Sequence, residues 1–118
     1  MTRRSIFWGL VAVIGGVPAA AVAHHSAAPY DLTKSLGVAG TVSTFRYTNP
    51  HIMIVVETPG GRWDIEGGSP NQLSRRGWTR DAVKVGDKVE ITAHPLRVGG
   101  NGGFLATIKL PDGHVLEN

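Results

Sequence analysis

The sequence predicts an all-β fold, a small five-stranded barrel with one short helix, preceded by a signal peptide and an extended N-terminal arm. Three observations predict it. Apolar and β-branched residues alternate in short runs, and Gly-, Pro- and Asn-rich turns separate those runs. The one stretch with helix-start chemistry falls between the third run and the fourth.

Residues 1–23 read as a secretory signal peptide. Arg3 and Arg4 supply the positive start, "IFWGLVAVIGGV" from Ile6 to Val17 the apolar middle, and Ala21-Val22-Ala23 the small residues before the cleavage point. A transmembrane anchor is the alternative, but a span needs about 20 apolar residues. This run is shorter and is interrupted by Gly15, Gly16 and Pro18. Residues 24–36 then form the extended arm, with Pro29 and few regularly spaced apolar residues, and residues 37–118 the barrel domain.

Val38 to Tyr47 is rich in β-branched and aromatic residues and stops at Asn49-Pro50. His51 to Glu57 is an apolar run of strand length between two prolines, so His51 is expected to open the second strand. "TPGGR" is a hairpin turn, after which "RWDIE" puts Trp63 and Ile65 on one face and Asp64 and Glu66 on the other. Ser69 is an N-cap and Pro70 a first helical residue, giving a short helix to about Arg76 that Gly77 closes. A Gly-Asp turn leads into a strand with Val89, Ile91 and Ala93 on one face. Strict alternation in "GGFLATIKL" then aligns Phe104, Ala106, Ile108 and Leu110, and "PDGH" is a final turn. Five strands with a helix after the third is the order of an OB-like barrel. A generic β-sandwich is the alternative, and the placement of the helix counts against it.

The whole chain carries 12 Lys and Arg against 9 Asp and Glu, a net charge of +3. Cleavage after Ala23 removes Arg3 and Arg4, leaving 10 against 9, or +1. No concentrated basic face for nucleic acid remains beyond "RRGWTR", which also reads as a solvated turn. The chain has no cysteine, which excludes disulfides, thiol redox chemistry and cysteine-ligated metals. No Ser-His-Asp order, phosphate loop or HExxH helix is present.

The blocks "AHHSAAPYD", "GTVSTFRYTNPH", "WDIEGGSPNQLSRRGWT" and "VKVGDKVEI" occur in that order. Together they resemble a family of short exported bacterial proteins catalogued as domain of unknown function 6152. The resemblance spans nearly all of residues 24–118. It implies an exported small barrel of uncharacterised biochemistry, in the periplasm or outside the cell, and transfers no catalytic residues.

Chemistry is expected first at "HH". Once cleavage follows Ala23, the new α-amino group of His24 and its own imidazole can chelate one metal together. Alternatively His25 binds through its ring, the intervening amide and the terminus. Such nitrogen-rich ligation suits Cu(II), and Ni(II) less well. His51 is the candidate further ligand, though it also reads as a histidine that hydrogen-bonds its turn shut. His94 and His114 read as exposed loop residues. A second constellation, Trp63, Ser69, Asn71, Arg75, Arg76 and Trp78, is a candidate ligand patch. Core burial of both tryptophans is the alternative there, more so for Trp63. Asp64 and Glu66 would be the carboxylates of a hydrolase, but two residues on one strand do not face each other across a cleft. They read rather as solvated, or as partners of Arg75 and Arg76. The expectation is therefore a non-enzymatic barrel that binds a ligand or partner, with Cu(II) as the named metal. An envelope protein acting only by protein contact is the other class.

Overall fold

The computed structural model describes residues 27–118, and its first strand, β1 (Leu36–Arg46), is long enough to serve two neighbours. Leu36 to Thr41 pair antiparallel with β4 (Lys88–Pro95), and Thr41 to Arg46 with β2 (Met53–Thr58). A strand shared in this way has to bend. The pairing shifts register between Val42 and Thr44, and a Cβ at Gly40 would run into the Glu57 carbonyl, so glycine permits the close approach of the two backbones. β3 (Gly61–Glu66) returns from β2, and β5 (Gly102–Lys109) returns from β4. A parallel pairing of Asp64 to Glu66 with Gly102 to Phe104 then closes the five strands into a barrel. The expected OB-like order is the observed one, and this closing pair removes the sandwich alternative.

Ile54 and Val56 of β2, Ile65 of β3, and Val89, Ile91 and Ala93 of β4 point into the core, as alternation expects. β5 departs from it. Thr92 pairs with Thr107 but Ala93 pairs with Leu105, so Ala106 is an extra residue that bulges the strand. Leu105 and Ile108 turn inward as a result, and a Cβ on Gly103 would face Ala93 and Ile65. Phe104 is left half-buried on the outer side, where strict alternation had placed it with Ile108. β6 (Val115–Glu117), a short strand on β5, follows the final turn.

The helix, α1 (Pro70–Ser74), begins as its sequence predicts. Ser69 Oγ accepts from the Gln72 N–H at 3.3 Å, and Pro70 takes the first turn, where a missing N–H costs nothing. It ends at Ser74 rather than near Arg76. Gly77 at φ 90° lets the Trp78 N–H reach back to the Leu73 carbonyl at 3.1 Å. Leu73 and Trp78, 1% and 2% exposed, pack into the barrel core, with Phe45 6.3 Å from Trp78 between ring centroids. Burying a tryptophan removes about 150–250 Å² from water, worth roughly 4–6 kcal/mol before entropy. Core burial, expected more of Trp63 than of Trp78, is complete only for Trp78, because Trp63 is half-buried against the core.

Residues 27–35, expected as part of an extended arm, make turns on either side of Tyr30 and are tied to the end of β4 and the residues just after it. Tyr30 bridges Leu96, the Asp31 N–H donates to Pro95 O at 2.8 Å, and the Arg97 N–H donates to Pro29 O at 2.9 Å. The predicted signal peptide, His24 and His25 lie outside the described residues. Among the described residues no helix is long and apolar enough to cross a membrane.

Candidate functional site

The site is built on Glu66, the last residue of β3. Ile65 points inward, so alternation puts Glu66 on the outer face, in register with Phe104 of β5. Its carboxylate is shared. Oε2 accepts the Tyr30 hydroxyl at 2.7 Å, and Oε1 lies 3.4 Å from His51 Nδ1.

His51 sits in the loop before β2, two residues ahead of the strand it was expected to open. Its position is set by its neighbour. Ile52, 0% exposed, exchanges backbone hydrogen bonds with the glycine pair after β3: its N–H donates to Gly68 O and its carbonyl accepts from Gly67 N, each at 3.0 Å. A Cβ on Gly67 would come within 2.7 Å of the Ile52 side chain, so the glycine is what allows the loop to lie this close. His51 Nδ1 is 3.1 Å from the Gly67 carbonyl. A carbonyl can only accept, so Nδ1 carries the proton, and Nε2 of the neutral ring keeps its lone pair.

Tyr30 is 7% exposed, with its ring centroid 5.4 Å from that of Phe104. Burial, the hydrogen bond to Glu66, and the charges of Glu66 and Asp64 push its phenol above the usual range. It is therefore a neutral donor at physiological pH. Asp31, next along the arm, is held below the usual carboxylate range by the Thr33 hydroxyl and N–H, which both donate to it. His94, expected in a loop, belongs to β4, and its Nδ1 lies 2.8 Å from the Lys34 carbonyl, fastening the arm a second time. His114 is exposed in the turn before β6.

The other candidates do not assemble into one surface. Trp78 is core, and its indole N–H donates to Glu117 O at 2.8 Å. Trp63 packs partly against the core, and the Ser69 hydroxyl is taken up by the helix cap. Asn71 and Arg75 are exposed, and the Arg76 guanidinium donates to the Asn118 carbonyl. An open cleft of about 420 Å³ brings Arg75 and Arg76 together with Gln72, Phe104 and Asn118, but with neither tryptophan. The carboxylates Asp64 and Glu66 pair with Arg62, at 2.8 Å, and with Tyr30 and His51, not with Arg75 and Arg76. Among the described residues no group of three or more His, Asp or Glu side chains could hold a metal ion. Of the expected metal ligands only His51 is described.

Sequence reasoning missed Glu66 and Gly67 as the partners of His51, and Tyr30 with Phe104 as the residues that stand behind Glu66. One signal was available for Tyr30: it is the lone Phe, Tyr or Trp in the arm of residues 24–36. A search of curated proteins found none that matches. A family model matches residues 12–106, and the chain belongs to that family, described as a family of unknown function, DUF6152.

Proposed function

We propose that this is an exported, non-enzymatic binding protein that holds Cu(II) beside its arm, through the amine and ring of His24, with His25 or His51 completing the set. One observation carries the proposal. Tyr30, six residues after His24, is bonded to the same carboxylate that touches His51. A chain spans at most about 3.3–3.6 Å per residue, so six residues reach roughly 20 Å. That is ample to return from Tyr30 to His51. An amine with two imidazoles is a donor set suited to Cu(II). The amine exists only if a signal peptidase cuts after Ala23.

Intact mass and metal content of the exported, untagged protein test both steps. The expected product begins at His24 and takes up one Cu(II), with affinity falling as pH drops through roughly 7 to 5 because protons compete for the ligand nitrogens. The control form carries one extra residue ahead of His24, which moves the amine away from the ring and leaves every side chain in place. It should bind more weakly. Equal affinity for both forms defeats the amine chelate. Retention of residues 1–23, or no uptake by either form, defeats copper binding altogether and leaves a barrel that acts on another ligand or an envelope partner.

A further inference from the structure

We infer that Glu66 and the Gly67 carbonyl are the outer partners that make His51 a metal ligand through Nε2, and that Tyr30 is the positioning residue that holds Glu66 to this task; the inference rests on the copper reading above. An imidazole can give a lone pair to a metal from only one nitrogen at a time, and the bond made by the other nitrogen decides which. Here the Gly67 carbonyl, 3.1 Å from Nδ1, takes that bond. The Glu66 carboxylate, 3.4 Å from the same nitrogen, adds a negative charge that strengthens the ring as a donor.

The Glu66 side chain is 24% exposed, enough for a glutamate without a partner to turn toward solvent. Tyr30 prevents this by holding Oε2 at 2.7 Å, which leaves Oε1 turned toward His51. Arg62, on the same strand, is engaged elsewhere, because its Nε is bonded to Asp64 at 2.8 Å. Tyr30 is fixed in its turn by Phe104 and by the backbone bonds around Leu96. The segment that carries His24 and His25 therefore also orients the carboxylate behind His51. Arm docking and metal binding at His51 must then reinforce each other, since coupling between two equilibria is reciprocal.

The test is a competitive-chelator titration of Cu(II) into the processed protein and its Glu66→Gln, Tyr30→Phe and His51→Ala variants. Glu66→Gln should weaken binding about 10- to 100-fold, the usual effect of losing an outer partner. Tyr30→Phe should weaken it in the same direction and by less. In the His51→Ala background Glu66→Gln should have no further effect, because its action passes through His51; a general electrostatic or folding effect would persist there. The ¹⁵N resonances of the metal-free protein give an independent readout and should show His51 protonated at Nδ1. Should Glu66→Gln fail to fold, Tyr30→Phe and the tautomer measurement decide alone. Undiminished affinity in Glu66→Gln, an undiminished effect of it without His51, or a proton on Nε2 in the neutral ring overturns the inference. Wild-type protein that takes up no copper overturns the reading beneath it as well.

Discussion

Beneath the helix, Trp78 is 2% exposed and donates its indole N–H to the Glu117 carbonyl at 2.8 Å. Under the arm, Tyr30 is 7% exposed and donates its hydroxyl to the Glu66 carboxylate at 2.7 Å. Burial and bond length are nearly the same, and the acceptors differ. A backbone carbonyl in a strand neither titrates nor moves on its own, so the tryptophan contact is tied to the fold itself. A partly exposed carboxylate carries charge and is shared with His51, so the tyrosine contact can respond to what happens beside it. Two anchors that look alike as packing thus differ in whether chemistry can reach them.

The largest effect that would sharpen this contrast is expected from Trp78→Ala. Removing a fully buried aromatic costs about 3–5 kcal/mol, a large share of the 5–15 kcal/mol typical of a domain. The denaturation midpoint should fall steeply with all probes together. A loss below about 1 kcal/mol would remove the distinction between the two anchors. Tyr30→Ala should cost less, about 2 kcal/mol, and the cost should be local. The arm should come away while the barrel stays folded. Trypsin reports this directly, because the carbonyl of exposed Lys34 is held by His94, and cleavage after Lys34 should speed up in the variant. Concerted unfolding of arm and barrel would contradict it.

The two anchors also part company at high pH. The Tyr30 phenol is raised above its unfolded value in the folded protein, so its contribution to stability is complete below about pH 10 and is lost as pH rises through the folded value. Tyr30→Phe should lack that alkaline loss, whereas the Trp78 contact has no group that titrates there. The smallest expected effect is that of Ser69→Ala, which removes the cap of the helix that carries Leu73 into the core. Thermal melting should register about 0.5–1 kcal/mol. A larger loss would mean that the short helix holds Trp78 more firmly than its own indole bond does.

Much of the fold was legible in the sequence wherever one segment contains its own cause. The alternation of Val89, Ile91 and Ala93 gives the inward face of β4, since side chains in a strand alternate whatever the partner. Ser69 and Pro70 start the helix because the orphan N–H groups of its first turn lie within three residues of them. The barrel order and the place of the helix follow from such pieces taken in sequence. What only the tertiary structure decided depends on register between distant strands. The bulge at Ala106 turns Phe104 outward, and no property of residues 102–110 alone marks the extra residue, because its cause is the pairing with β4. Trp78 rather than Trp63 is the more deeply buried tryptophan for a related reason: burial of a large side chain is set by what closes over it, here the helix and β6. The site was least legible of all. Tyr30 and Glu66 are 36 residues apart, and His51 and Gly67 are 16 apart. His51 and Tyr30 stand out in their own segments but neither shows its partner there, and the four become a site only because closing the barrel, docking the arm and tucking the Ile52 loop against two glycines bring them together.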